Sequence, residues 1–108
     1  MQTISSVSSA AHMAEYRLSP AAERDLEGIW KYTRREWGIG QAERYTDLLT
    51  AAFQVLADSP KSAPGCDHIR QGYRRRNVER HMIYLRITAY GIAIIPVLHE
   101  RMDAPHHL

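Results

Sequence analysis

The fold turns on the stretch Ser19–Pro60, SPAAERDLEGIWKYTRREWGIGQAERYTDLLTAAFQVLADSP. Ser19 can accept a hydrogen bond from a free backbone amide, and Pro20 at the first helical position gives up no needed donor, so a helix is predicted to start there. Glu23 and Asp25 follow beside the positive end of its dipole. Ala22, Leu26, Ile29, Trp30, Thr33 and Trp37 recur at three- and four-residue steps, which assigns them to one apolar face. Both tryptophans are therefore read as packing residues, Trp37 with the further option of an exposed anchor near the hairpin tip. Gly38 ends the helix, being free to take a positive φ. A second helical pattern runs through Ala42, Tyr45, Leu48, Leu49, Ala52, Phe53 and Leu56 and stops at Asp58-Ser59-Pro60. With only Gly38-Ile39-Gly40 between them, the two helices must fold back antiparallel.

Before this hairpin, Ala14–Leu18 (AEYRL) alternates Tyr16 and Leu18 against Glu15 and Arg17, the pattern of a short half-buried strand. Met1–His12 (MQTISSVSSAAH) is rich in Ser and Ala and has neither the basic start nor the apolar middle of a signal peptide. Residues 1–13 are expected to be a disordered tail, with Met13 as a possible initiator. After the hairpin, Ser59–Gln71 (SPKSAPGCDHIRQ) reads as a loop. Gly72–Val78, His81–Thr88 and Ile92–Leu98 read as three strands with short connections, an antiparallel meander. Pro96 within the last of them removes a ladder donor, so the strand is bulged there or that amide faces solvent. The apolar stripes of helices and sheet need each other. The expected architecture is α+β, a two-layer sandwich in the order β-α-α-β-β-β, an antiparallel sheet packed against a helical hairpin. Its domain spans 14–103, with 104–108 a flexible C-terminus.

At 108 residues the chain has room for one domain, and 44% apolar with 24% charged residues is globular composition. No apolar run is long enough to cross a bilayer. The lone Cys66 cannot form an internal disulfide, which makes a reducing, cytoplasmic setting the default expectation. Net charge is only +2, but it is unevenly spread. From Ser19 to Pro60 acids exceed bases by two. From Arg70 to Arg86 the bases Arg70, Arg74, Arg75, Arg76, Arg80 and Arg86 face Glu79 alone. Such a segment prefers an anionic partner.

Strand alternation puts Arg74 and Arg76 on the face opposite Arg75. Arg80, Tyr84 and Arg86 extend the group, with Tyr84 offering an aromatic surface beside guanidinium groups. The functional reading is a docking surface for an acidic protein segment or a phosphate backbone; the bland one is a solvated basic sheet face. His81 and His99 fall on or just after neighbouring strands. A ribonuclease could be assembled from them, with His99 as general base, an arginine stabilising the phosphorane and Tyr84 or His81 as acid. A histidine at a strand end more commonly just bonds to backbone, so no catalytic residue is assigned. The six histidines include no metal-binding spacing, no glycine-rich phosphate loop is present, and Cys66 is read as an inert thiol. Neither metal nor cofactor is expected.

The runs YRLSPAAERDLEGIWKYTRREWG (16–38), QAERY (41–45), DHIRQGYRR (67–75), RHMIYLRI (80–87) and VLHERMD (97–103) occur in an order that resembles the ParE branch of the RelE/ParE toxin superfamily, over nearly the whole of 14–103. The resemblance implies the same sandwich and a toxin of a type II toxin–antitoxin pair. It further implies an inhibitor of DNA gyrase, neutralised by a ParD-like antitoxin whose C-terminal segment folds along the toxin. Heterotetramers or larger assemblies are implied, with operator DNA bound only through the antitoxin, and no membrane. The residues placed at the antitoxin or target contact are Arg74, Arg76, Arg80, Tyr84, Arg86, His99, Arg101 and Trp37. The sister RelE branch, which cuts ribosome-bound mRNA, is the alternative. Against it, the chain lacks that branch's lysine-rich set, its only lysines being Lys31 and Lys61.

Overall fold

The computed structural model describes residues 14–108; the expected tail 1–13 lies outside the described residues. The chain runs β1 (Glu15–Leu18), α1 (Pro20–Trp37), α2 (Ile39–Asp58), a 3-10 turn at Pro60–Ser62, β2 (Tyr73–Val78), β3 (His81–Ile87), β4 (Gly91–His99) and a second 3-10 turn at Ala104–His106. Ser19 caps α1 as expected, its hydroxyl accepting the Ala22 amide at 3.0 Å. Gly38, at φ +94°, is the whole connector between the helices. Its N–H donates to Arg34 O at 2.9 Å and its carbonyl accepts from Ala42 N at 3.1 Å, so one residue satisfies the end of α1 and the start of α2.

The strands form one sheet in the order β1-β4-β3-β2. β2, β3 and β4 are the antiparallel meander, while β1 pairs parallel with β4, making the sheet mixed. That parallel pair begins at Gly91, whose φ of +145° brings its Cα so close to β1 that a Cβ would lie 2.0 Å from Glu15 O. Leu49, Phe53, Leu56 and Tyr45 of α2 pack on Ile83, Leu85, Ile92, Ile94 and Val97 of the sheet. Ile94 and Val97 are three apart, and strict alternation would put them on opposite faces. Between Ile83/Val97 and Leu85/Ile94 the register shifts by one residue, a bulge in β4 at Ile95-Pro96 that returns both side chains to the core. The strand accommodates Pro96 by the first of the two routes expected.

The other face of the sheet is covered as well. Cys66, Tyr84, Leu98 and Ala104 form a second cluster, joined by Ile69, Tyr73, Met82 and Leu108. Tyr84 is 3% exposed, which corrects its assignment to an open aromatic surface: it opposes Arg75 on β2 and lies under the 63–73 loop. Burial also pushes the Cys66 thiol up from its ordinary pKa, in keeping with an inert role. Residues 104–108, expected as a loose end, instead hold Ala104 and Leu108 against this cluster, and Arg70 Nη1 donates to Leu108 O at 3.3 Å.

Trp30 also departs from expectation, while Trp37 takes the exposed option left open for it. Of α1, only Ala22 and Thr33 are buried. Trp30 is half-buried outside the core, with the Arg34 guanidinium 5.7 Å from its ring, and Trp37 is 72% exposed. The hairpin is thus asymmetric: most of its fully buried side chains come from α2, while α1 packs along β4 through Ala22 and the partly buried Leu26 and Ile29.

Candidate partner-binding groove

A concavity of about 860 Å³ lies between α1, the start of α2 and the end of the sheet where β3 begins and β4 finishes. One wall is a helical stripe of α1, in which Arg24, Gly28, Tyr32 and Trp37 face outward above Asp25, Ile29 and Thr33. The opposite wall is the β2–β3 turn with Glu79, Arg80 and His81, then His99 and Met102. Tyr32 is 55% exposed, Trp37 72% and Met102 43%. Solvent-facing apolar side chains gathered around one hollow mark an interaction site far better than the same residues scattered.

Gly28 is the residue of α1 that leaves this wall open. A Cβ built on it would meet nothing within 4 Å. Glycine inside a helix costs about 0.5–1 kcal/mol relative to alanine, and no packing contact within the described residues requires it here.

At the floor, three rings interlock. Tyr45 lies 2.7 Å through its hydroxyl from His81 Nδ1 and also donates to Val78 O at 3.3 Å. His81 and His99 are register partners on β3 and β4, and their rings meet edge to face at 5.4 Å between centroids. Burial, with the neighbouring His99 adding to it, lowers the His81 pKa to about 4, so at neutral pH His81 is an uncharged imidazole. Burial raises the Tyr45 phenol in turn. His99 Nδ1 accepts the Arg101 amide at 3.1 Å.

Of the residues placed at a contact from sequence, the fold brings Trp37, Arg80 and His99 into this groove, with Arg101 next to it. It does not bring the others there. Arg74 and Arg76 oppose Leu85 and Ile83, on the helix side of the sheet at its edge. Arg74 Nη1 donates to Ala63 O at 2.7 Å, and Arg76 Nη2 donates to Ser62 O at 2.8 Å and to its hydroxyl at 3.0 Å. Both are half-buried staples for the loop after α2. Arg86 is exposed elsewhere on β3, and Tyr84 is buried. Sequence analysis missed Arg24, Gly28, Tyr32 and Met102; the out-of-phase Tyr32 and the interior glycine were the available signals. Among the described residues, Arg24, Arg80 and Arg101 have no carboxylate within salt-bridge distance, whereas Arg17, Lys31 and Arg35 do.

The small α+β sandwich carries a groove lined by aromatic rings and by Arg24 and Arg80 beside Asp25 and Glu79, and among its described residues no cluster of His, Cys, Asp or Glu is placed to hold a metal ion. Residues 16–104 match the family model for the ParE toxin of type II toxin–antitoxin systems, parDE, and the chain belongs to that family. It is 42% identical over 96 residues to Toxin ParE1 of Mycobacterium tuberculosis, covering 88% of this chain and 98% of that one. It is 38% identical to Toxin ParE1 of Caulobacter vibrioides, covering 89% and 99%, and 36% identical to Toxin ParE of Escherichia coli, covering 84% and 89%. The fold is shared with a chain of a chromosomal ParDE toxin–antitoxin system from P. aeruginosa, at a TM-score of 0.71 and 18% identity over 82% of this chain and 97% of that one.

Proposed function

We propose that this toxin acts by protein–protein contact, inhibiting DNA gyrase, and that a ParD-like antitoxin silences it by laying an acidic, amphipathic segment into the groove beside α1. The observation that carries the antitoxin part is the pairing of an open apolar wall (Gly28, Tyr32, Trp37) with the unpaired guanidinium groups of Arg24, Arg80 and Arg101. Apolar side chains of such a segment fill the wall while its carboxylates take charge-assisted bonds from the rim. A segment that orders only on binding gains register from bidentate Arg–carboxylate contacts. The toxin and antitoxin then form a heterotetramer or larger assembly in the cytoplasm, with operator DNA contacted by the antitoxin alone. The gyrase target rests on family membership.

Two experiments test this. The purified chain, added to gyrase and relaxed plasmid, is expected to block supercoiling or accumulate cleaved DNA; no effect at large molar excess refutes gyrase as target. Gly28→Leu fills the groove from a helix position with free space, so it is expected to abolish co-purification with the product of the adjacent reading frame while the fold persists. Retained co-purification refutes the groove.

The ribosome-dependent nuclease reading loses ground at the same place. A His81 that is uncharged at neutral pH holds no imidazolium proton to give a leaving group. Message cleavage in a translation extract, abolished by His99→Ala, would restore it.

A further inference from the structure

The geometry points to His99 as a fixed hydrogen-bond donor that reads one carboxylate on the groove's occupant, a subsite resting on the antitoxin-binding role proposed above.

A neutral imidazole has one donor and one acceptor nitrogen, and the partner of one sets the role of the other. In His99 the Arg101 backbone N–H points at Nδ1 and makes it the acceptor. An amide always donates, so the proton of neutral His99 belongs on Nε2, the ring's remaining polar atom. His99 therefore meets anything in the groove as N–H, never as a lone pair. A general base needs the lone pair; a carboxylate reader needs the proton.

The ring is also held in place. The His81 ring braces it edge to face at 5.4 Å, and His81 is fixed by the Tyr45 hydroxyl, itself bonded to Val78 O. Tyr45 is 8% exposed, so the three-ring stack is anchored in the core and ends at the groove. A donor already oriented before binding loses little freedom when it bonds, which favours its use in recognition. Beside it on the same wall is Arg80, and across the groove is Arg24, neither engaged by an acid among the described residues. The lining also holds two acids, Asp25, which already accepts the Val97 amide, and Glu79 next to Arg80; an oriented N–H between Arg80 and Arg24 is still a setting for a carboxylate, with the guanidinium groups supplying charge and the imidazole supplying direction.

The first test needs no ligand. Long-range 1H–15N correlation spectra of the full chain at pH 7.5 report which nitrogen of His99 is protonated. Protonated Nε2 is expected; protonated Nδ1 overturns the inference. The second uses a synthetic amphipathic helix with leucines on one face and glutamates flanking it, beside its all-glutamine counterpart. His99→Phe keeps a ring and removes the donor, and is expected to weaken the glutamate peptide about tenfold. His99→Gln restores a side-chain N–H and is expected to stay within about threefold, and the glutamine peptide is expected to ignore both changes. Melting curves of each variant separate misfolding from lost recognition, and the spectra decide the tautomer whatever the variants do. If His99→Phe binds the glutamate peptide as tightly as wild type while Gly28→Leu excludes it, the subsite fails and the groove stands. If Gly28→Leu has no effect, the groove fails and the subsite with it. Tighter binding of a single-stranded oligonucleotide, lost in His99→Phe, overturns the carboxylate in favour of phosphate.

Discussion

The Asp25 carboxylate on α1 accepts the backbone N–H of Val97 on β4 at 3.0 Å. The residues are 72 positions apart, and the bond exists because the bulge at Ile95-Pro96 takes that amide out of the ladder. Asp25 thus satisfies the one irregular point of the central strand and clamps the wall of the groove to its floor. Asp25→Ala leaves the amide unsatisfied and is expected to cost about 1–3 kcal/mol. The check is the denaturant midpoint, where Asp25→Asn, which keeps an acceptor, is expected to lose less.

Phe53, Trp30 and Trp37 are expected to separate by burial. Phe53→Ala empties the centre of the core and is expected to cost about 3–5 kcal/mol. The sequence alone put Trp30 in that class, but a half-buried ring beside Arg34 is expected to contribute about 1–2 kcal/mol. Trp37→Ala is expected to change stability by less than about 0.5 kcal/mol and still weaken antitoxin binding, by about 2 kcal/mol if it is an aromatic anchor. Thermal melts beside binding isotherms resolve all three.

Arg74 and Arg76 are expected to act through the fold. Replacing both by Gln removes donors to the Ala63 and Ser62 carbonyls and is expected to destabilise by about 1–3 kcal/mol, loosening the loop that covers Cys66. Hydrogen exchange at residues 62–66 gives a local readout. Arg80→Gln, in contrast, is expected to leave melting unchanged and to weaken the antitoxin complex most at low salt.

Stability is expected to fall as the pH drops from about 6.5 to 4, in part because of His81. The unfolded chain protonates this histidine at its ordinary pKa of 6.5, whereas the folded one resists until about 4. Between those values the unfolded state binds more protons, so stability rises with pH in that window and is unaffected by His81 above it. With the ring partly solvated, the loss is on the order of 1–2 kcal/mol. His81→Gln is expected to flatten that slope in unfolding titrations at pH 4.5 and 7.5.

Gly91→Ala and Gly28→Ala are expected to act in opposite directions. At Gly91 the new methyl would strike Glu15 O, opening the β1–β4 pair at a cost of about 1–3 kcal/mol or more. At Gly28 there is free space and helix propensity improves, so a gain of about 0.5–1 kcal/mol is expected from the same melting measurement.

By itself the amino-acid sequence determined the elements and their order. Ser19-Pro20, Gly38, Asp58-Ser59-Pro60 and the apolar periods act over a few residues, through caps, fixed φ angles and amphipathic faces, and such local effects leave a readable pattern. It also marked Pro96 as a place where the strand is bulged or the amide position faces solvent, because a missing N–H is a property of the residue. Only the tertiary structure decided which of the charged and aromatic residues stay free. Arg74 and Arg80 are the same residue six positions apart, yet one reaches a loop carbonyl and the other looks across a groove toward α1, because the far partners differ. Tyr84 likewise lost its expected exposure once the 63–73 loop closed over that face of the sheet. Strand alternation says which neighbours share a side; what comes to cover that side depends on segments distant in the chain.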